Sequence, residues 1–465
     1  MIFNYREIIH VNTLRHDDMK SSHTPLHKLY SFYLLFAAIC LSFIPVTSYA
    51  APAIQHWTTT NGARVYFVPA PELPMVDVQV IFDAGGSRDG DKEGIAQLTN
   101  NMLEEGAGKL NADEIAERFE NLGAQFGTSS HRDMAVTSLR SLTDPKLLQP
   151  ALETYALILR EPTFPQDSFD RVRNQMLISL QAEQQSPGSI ASKAFYKALY
   201  DGHPYASPIL GTEDSLNELD RDDAVEFHKH YYVARNAIVA IVGALDHAGA
   251  EALVDTLVSA LPAGEAPPPL PKVKPLTDAV SVHIDFPSTQ THVLIGQPGM
   301  SRDDPEYYPL YVGNHILGGS GLVSRISEEV REKRGLSYSA YSYFIPMRYK
   351  GPYTLGLQTR NEQTQEAISV MRKTLQDFID DGPTEKELKA SKQNITGGFP
   401  LRISSNGKIA DNLSSIGFYN LPLDYLDTFN DHVDAVTVEQ IKAAFKNRVH
   451  PDKMVTVTVG PGTTP

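Results

Sequence analysis

The chain has 465 residues, 42% of them hydrophobic, which is enough for two or more domains with cores of their own. Its 41 Lys and Arg residues are outnumbered by 56 Asp and Glu residues, and this acidic balance argues against nucleic acids and anionic membranes as partners. The single cysteine, Cys40, lies in an apolar stretch near the N-terminus, so the rest of the chain has no disulfide, cysteine metal ligand or cysteine nucleophile.

The pattern of residues 1–50 is typical of a secretory signal peptide. A nearly continuous apolar run from Leu29 to Val46 follows Lys20 and Lys28 and precedes the small-residue sequence Ser48-Tyr49-Ala50. We predict cleavage after Ala50 rather than a membrane anchor, because the run is short and a cleavage site follows it. Removing four of the 41 Lys and Arg and three of the 56 Asp and Glu leaves 37 against 53, a net charge of −16. A periplasmic or secreted protein without a stable membrane anchor is expected.

Strand and helix patterns mix along the first half of the mature chain. Asn61-Gly62 between two alternating segments indicates a β-hairpin. Helices are predicted from Asp113 to Leu122, from Asp144 to Leu159 and from Gln166 to Gln184, the last two ending before prolines. An α+β fold is expected, with an antiparallel-rich sheet covered on one side by helices.

A short helical pattern from Ile95 to Glu105 has two distinct sides. Its buried stripe consists of apolar residues at i, i+3 and i+7, namely Ile95, Leu98 and Met102. Gln97, Asn100 and Asn101 are spaced i, i+3, i+4 and share another side, which we call the amide face. Neutral amides are poor zinc ligands and cannot accept a proton at neutral pH, so this face cannot activate a metal-bound water.

Residues 262–275 contain six prolines and indicate a semi-rigid linker between residues 51–261 and 276–465. These two segments repeat each other: Val78–Asp89 matches His292–Asp303 at an offset of 214, and the closing strands Ala237–Gly243 and Met454–Gly460 match at an offset of 217. The sequence therefore predicts two duplicated domains of the same α+β type. Two like halves joined by a stiff linker suggest a clam-like arrangement with a space between them.

The second half contains a glycine-rich segment, Leu317-Gly318-Gly319-Ser320-Gly321, followed by a charged segment from Glu329 to Tyr338. Within the charged segment, the Arg331 guanidinium is a fixed fork of hydrogen-bond donors, and the Tyr338 hydroxyl can also donate. The glycines allow a tight or mobile loop. On composition alone, the pattern favours a charged helix end with surface ion pairs, followed by a strand.

The frame around the amide face and the second-half motif resemble the pitrilysin/insulinase metallopeptidases, and the resemblance covers essentially all of residues 53–462. In that family of inverted zincins, the first-half helix carries H-x-x-E-H, with two His ligands and a Glu as general base. Gln97, Asn100 and Asn101 occupy those three positions here, and Ser179 falls on the later Glu ligand. The resemblance implies a degenerate zinc site and no metal bound by this chain.

The resemblance also implies a role for the second half. In the family, an Arg and a Tyr seven residues later point at the substrate across the cleft from the zinc, and Arg331 and Tyr338 have this spacing. Gly318 and Gly319 would then lie beside bound peptide. The chain is similar to the short two-domain subfamily that includes mitochondrial processing peptidase, whose members act as dimers in which one subunit can lack zinc.

We interpret the chain as a non-catalytic, substrate-binding subunit of an exported zinc metallopeptidase heterodimer that acts on peptides. It would have no cofactor of its own, since zinc is expected only in a homologous zinc-bearing partner subunit, to whose site Arg331 and Tyr338 would be donated. One alternative is a stand-alone peptide-binding or scaffold protein without a proteolytic role. An active metallopeptidase with replaced ligands is a less favoured alternative.

Overall fold

The computed structural model describes residues 53–462, and the predicted signal peptide lies outside this range. Helices and strands mix along the described chain, which confirms the α+β class. Within residues 53–462, no helix combines the length and the apolar character needed to cross a bilayer.

The first half contains one large sheet, a small two-stranded ribbon and a set of helices. Its strands are β1 (Gln55–Thr58), β2 (Arg64–Pro69), β3 (Met75–Phe82), β4 (Gly106–Ala107), β5 (Leu110–Asn111), β6 (Gln125–Ser130), β7 (Ala135–Leu142) and β8 (Ala237–Gly243). Its helices are α1 (Ile95–Met102), α2 (Ala112–Asn121), α3 (Pro145–Arg160), α4 (Gln166–Gln184), α5 (Pro187–Leu199), α6 (Glu213–Glu218), α7 (Arg221–Tyr231) and α8 (His247–Val258).

The second half is built in the same way. Its strands are β9 (Val280–Asp285), β10 (Gln290–Pro298), β11 (Ala340–Phe344), β12 (Pro352–Arg360) and β13 (Val455–Gly460). Its helices are α9 (Tyr307–Asn314), α10 (Arg325–Ser327), α11 (Thr364–Asp381), α12 (Glu385–Arg402), α13 (Asn406–Tyr419), α14 (Tyr425–Ala435) and α15 (Val438–Arg448). Two π-helical turns, His315–Gly319 and Glu328–Glu332, extend α9 and α10.

The two sheets have equivalent topology, which supports the internal duplication found in the sequence. The first sheet has the order β1-β2-β8-β3-β7-β6, and the second has the order β11-β12-β10-β13-β9. Starting from edge strand β6 or β11, each sheet has three antiparallel pairings followed by one parallel pairing. Both sheets are therefore mixed and mostly antiparallel, and the first has β1 as an additional edge strand.

Local signals account for the element boundaries. The predicted helix from Gln166 to Gln184 is found with those bounds, and the helix predicted to begin at Asp113 begins one residue earlier, because Asn111 and Glu114 form a reciprocal capping box. The hairpin at Asn61-Gly62 joins β1 to β2, and Gly62 adopts φ 103°, a left-handed conformation that favours glycine. Strand β8 is buried along its whole length, as its continuous apolar sequence indicates.

The second face of each sheet is covered by a helix from the other half, a feature that the sequence did not predict. Helix α13 packs on strands β8, β3 and β2 of the first sheet, and helix α5 packs on β13 and β10 of the second. The backbone approach is close: a Cβ on Gly417 of α13 would lie 2.6 Å from Ile238, and one on Gly296 of β10 would lie 2.8 Å from the Phe195 ring. The two halves are therefore joined by these exchanged helices as well as by the linker, whereas the sequence indicated the linker alone.

The proline-rich segment 262–275 has no regular secondary structure and is fixed to the first half at two carbonyl groups. The Arg88 guanidinium donates to the Pro268 carbonyl at 2.7 Å, and the His203 ring donates to the Pro271 carbonyl at 2.8 Å. Arg88 is itself held by a buried, two-pronged ion pair with Asp83. The segment is thus an anchored connection rather than a freely moving tether.

Candidate functional site

Helix α1 is positioned by a buried carboxylate at its start. Gly94 precedes the helix with φ 92°, and the backbone N–H groups of Gly94 and Ala96 donate to the Asp89 carboxylate at 2.8 and 2.9 Å. Burial raises the pKa of Asp89 to about 7, against the opposing effect of these two hydrogen bonds. The predicted stripe of Ile95, Leu98 and Met102 is buried against the sheet and neighbouring helices.

The three side chains of the amide face take part in two separate hydrogen bonds. Gln97 donates through Nε2 to Asn101 Oδ1 at 2.8 Å, so these two half-buried amides satisfy each other across one helical turn. Asn100 is fully buried, and its Nδ2 lies 3.3 Å from the hydroxyl of Tyr232. Its Oδ1 has no hydrogen-bond partner among the described residues, a state that is uncommon for a buried polar atom.

Ser179 lies on α4, which packs against α1, but its hydroxyl is already engaged. The Oγ atom donates to the Gln175 carbonyl of the same helix at 2.9 Å. Glu183, one turn further along α4, forms an ion pair with Lys193 of α5. Glu183 is therefore already paired and is not a free replacement for the missing family ligand.

The residues at these positions do not fit zinc. Zinc in proteins is bound by imidazole nitrogen, thiolate or carboxylate, whereas this site presents three amides and a hydroxyl. Across residues 53–462, no cluster of three or more His, Cys, Asp or Glu side chains has the geometry of a metal site. Nearby His228 is a structural residue, because its Nε2 donates to the Leu159 carbonyl at 3.0 Å and burial lowers its pKa to about 4.

Arg331 and Tyr338 flank a tight turn on the surface of the second half. The Gly335 N–H donates to the Arg331 carbonyl at 2.9 Å, and Gly335 has φ 61°. Tyr338 is 87% exposed. The only ion-pair contact of Arg331 within the described chain is a 3.4 Å approach to its sequence neighbour Glu332. Both side chains are therefore free to contact another molecule.

The other charged residues between Glu329 and Tyr338 form surface ion pairs at the end of a helix. Glu329 accepts from Lys333 at 2.7 Å and from Arg334 at 2.6 Å, and these bonds lower its pKa. The pattern of surface ion pairs indicated by composition is present, but it does not include Arg331 as a close partner. Arg331 and Arg334 are thus neighbours with different surroundings, which makes Arg334 a suitable control position.

The glycines predicted beside the peptide have packing reasons of their own. A Cβ on Gly318 would lie 2.3 Å from the Ser342 Oγ, so Gly318 lets the π-helical turn lie directly against β11. A Cβ on Gly319 would lie 3.1 Å from the Asn314 carbonyl oxygen. The loop that follows carries Leu322 and the 85% exposed Val323. The role of Gly318 and Gly319 in substrate binding stays a prediction.

The structure does not join the two groups of predicted residues into one site. Within residues 53–462, no hydrogen bond or ion pair links Arg331 or Tyr338 to the amide face or to Ser179. A cavity of about 550 Å³, which the sequence did not indicate, lies between Glu93, just before α1, and the α4–α5 hairpin. Arg132 lines it, with its guanidinium 4.2 Å from the centre of the Tyr196 ring. Its lining comes from segments far apart in sequence, so no local motif could have predicted it.

Comparisons with known proteins agree over most of the described chain. Residues 64–213 match the insulinase family (peptidase family M16), and residues 218–395 match the peptidase M16 inactive domain. The uncharacterized zinc protease YmxG of Bacillus subtilis is 26% identical over 393 residues, which cover 83% of this chain and 94% of that protein. The non-peptidase homolog YmxG of Helicobacter pylori is 24% identical over 383 residues, covering 80% and 86%. The crystal structure of a peptidase M16 inactive domain from Pseudomonas fluorescens is 42% identical, covers 88% of this chain and 98% of its own, and has a TM-score of 0.86.

Proposed function

We propose, from the premise that the chain belongs to the insulinase (peptidase M16) family, that it is the non-catalytic, peptide-binding subunit of an exported zinc metallopeptidase. Its partner would be a homologous chain with an intact H-x-x-E-H helix. This chain would bind the peptide and present Arg331 and Tyr338 to the partner's active site. The predicted signal peptide supports export.

The observation that carries the proposal is the contrast between the two halves. The amide face has no group that can ligate zinc or accept a proton from water, and its members are buried or bonded to each other. In the second half, Tyr338 is largely exposed to solvent and Arg331 has no close ion pair. A chain that retains exposed donors for a peptide carbonyl but lacks the means to cleave is suited to complementing a catalytic subunit.

A scaffold without a proteolytic role is the competing function. It predicts no effect of this chain on peptide cleavage by any partner. The exposure of Tyr338 and the lack of a close ion pair at Arg331 favour the subunit over the scaffold, because a purely structural role requires neither feature.

The test is reconstitution with a zinc-bearing homologue from the same cell. The mature chain, from residue 51 onward, is mixed with that homologue, complex formation is measured by analytical ultracentrifugation, and cleavage of an unstructured fluorogenic peptide is followed. We expect a heterodimer with higher peptidase activity than the zinc-bearing chain alone. A heterodimer with unchanged activity, or the absence of any complex, would contradict the proposal.

Two matched pairs of variants make the assay specific. Arg331→Ala is compared with Arg334→Ala, three residues away and already paired with Glu329. Tyr338→Phe is compared with Tyr343→Phe, a partly exposed tyrosine stacked on Tyr341 at 5.0 Å. We expect a loss of apparent affinity for the first variant and of turnover for the second, with little change in either control.

A further inference from the structure

Asp133 is a buried carboxylate held by hydrogen bonds from both halves of the chain. It lies in the turn between β6 and β7, is 4% exposed, and forms no ion pair within 4 Å in residues 53–462. The Tyr205 hydroxyl donates to its Oδ1 at 2.6 Å. Its Oδ2 accepts from the backbone N–H of Arg348 at 2.8 Å and lies 3.3 Å from the Tyr419 hydroxyl. Tyr205 belongs to the first half, whereas Arg348 and Tyr419 belong to the second.

The segment 345–351, which connects β11 to β12, is fixed to this carboxylate through its backbone. Besides the Arg348 N–H, the next amide, that of Tyr349, donates to the Tyr205 hydroxyl at 3.1 Å. The Arg348 side chain adds a second contact across the halves, since its guanidinium lies 3.8 Å from Asp83. Because two consecutive backbone N–H groups are used, the anchor sets the position of the main chain rather than that of a side chain.

The anchored segment is directly continuous with the peptide-facing surface of the proposed function. Segment 345–351 follows strand β11 without interruption, and Tyr338 precedes β11 by two residues. Strand β11 is an edge strand whose ladder of backbone hydrogen bonds runs to β12 alone. Asn314 holds the middle of β11 through two hydrogen bonds with Ser342. Asp133 holds the segment at the end of β11 far from Tyr338 and ties it to the first half.

Packing alone does not explain a carboxylate at this position. Burial raises the pKa of the Asp133 carboxyl, which means that the protein bears a cost for keeping the charge there. An apolar side chain of similar size would fill the same space without that cost, but it would leave three donors without an acceptor. What only a carboxylate provides is two acceptor oxygens for three donors that arrive from separate elements.

We propose that Asp133 is a positioning residue for the peptide-binding segment: it fixes the end of β11 to the first half and thereby sets the position of Tyr338 and Arg331. The peptide-binding part of this inference rests on the proposed function; the positioning part does not. Asp133 itself touches no substrate, and it acts through the backbone of residues 345–351.

Amide hydrogen exchange of the isolated mature chain tests the positioning directly. Asp133→Asn removes one acceptor oxygen, and we expect exchange at the Arg348 and Tyr349 amides to rise about tenfold or more, with a smaller rise along β11. The matched control is Asp77→Asn, another buried carboxylate, paired with Arg140 in the first sheet. Equal exchange at residues 345–351 in both variants would overturn the inference.

A second variant keeps the test decisive if Asp133→Asn does not fold. Tyr205→Phe retains the carboxylate but removes the Oδ1 donor and the acceptor of the Tyr349 N–H. We expect faster exchange at Tyr349 and a smaller effect at Arg348, which bonds Asp133 directly. Unchanged exchange at both amides would overturn the inference as well.

Peptide binding separates this inference from the proposed function. Fluorescence anisotropy with a labelled, unstructured peptide is measured for the wild type, Asp133→Asn, Asp77→Asn and Tyr338→Ala, alone and with the zinc-bearing partner. We expect Asp133→Asn to weaken binding about as much as Tyr338→Ala does, and Asp77→Asn to leave it unchanged. If the wild type binds no peptide in either state, the proposed function fails while the exchange data still decide the positioning role. If peptide binds but Asp133→Asn matches Asp77→Asn, the positioning inference fails alone.

Discussion

Acidification should destabilise the first half through a single buried histidine. The ring of His228 donates through Nε2 to the Leu159 carbonyl at 3.0 Å, stacks on Tyr232 at 4.8 Å and meets the Phe164 ring edge-on at 5.7 Å. No carboxylate contacts it within the described residues, and burial lowers its pKa to about 4. The folded chain therefore keeps the ring neutral at pH values where the unfolded chain protonates it.

The size of the effect follows from this difference in pKa. A histidine in the unfolded chain has a pKa of about 6.5. The stabilisation from keeping His228 neutral is therefore fully present above about pH 6.5 and is lost as the pH falls toward about 4. Between pH 7.5 and pH 5.0, a shift from about 6.5 to about 4 reduces the free energy of unfolding by roughly 2 kcal/mol. Tyr232 is also the partner of Asn100, so the region behind the amide face should be weakened first.

The assay compares the mature wild type with His228→Gln in urea unfolding at pH 7.5 and 5.0. Asp89 acts in the opposite direction, because its raised pKa makes stability fall as the pH rises from about 4 toward 7. The difference between variant and wild type removes that contribution, since Asp89 is present in both. We expect His228→Gln to be less stable at pH 7.5 and the gap to narrow by about 2 kcal/mol at pH 5.0. A gap that stays constant within about 0.5 kcal/mol would refute the reasoning.

Three further predictions concern the site and its surroundings. The triple variant Gln97→His, Asn100→Glu and Asn101→His should not bind stoichiometric zinc by elemental analysis. Adding Ser179→Glu should strengthen zinc binding by several kcal/mol. Equal zinc affinity of the triple and quadruple variants would show that Ser179 is not the position of the third ligand. In the reconstituted heterodimer, Tyr338→Phe should lower turnover about 100- to 1,000-fold, as for the loss of an oxyanion donor, without reducing assembly; wild-type kinetics would show that its hydroxyl is not used. Gly318→Ala should lower the free energy of unfolding in urea by about 1–3 kcal/mol, because the added Cβ would clash with Ser342. Gly397→Ala is the control, since its added Cβ would meet nothing within 4 Å. Equal stability of the two variants would contradict the packing argument.

Much of the local structure could be predicted because the signals are local. Helix α4 has the predicted bounds, since Pro165 precedes it and Ser186-Pro187 starts the next helix. The spacing that defines the amide face also held, because it depends only on helical periodicity. The burial of Asn100 was not predictable from its own helix, since it depends on Tyr232, 132 positions further along the chain.

Long-range contacts could not be predicted, because no local signal in the sequence marks them. The donors to Asp133 lie 72, 215 and 286 positions away, and no periodicity or motif connects them. Helices α5 and α13 each show an ordinary amphipathic pattern, which says that one side is buried but not which sheet buries it. The sequence therefore indicated two separate halves, whereas in the structure each half contributes one helix to the sheet of the other.

The exchanged helices change what the internal duplication means. In residues 53–462, the second face of each sheet is covered by a helix that belongs to the other copy, so a chain with a single copy would expose that covered area to water. Such a chain could cover its sheet by exchanging this helix with a second copy of itself, which would form a domain-swapped homodimer. Joining two such chains through a proline-rich connection would give the present architecture. By the same logic, a chain cut within residues 262–275 should reassemble from its two fragments when they are folded together, and neither fragment should fold alone.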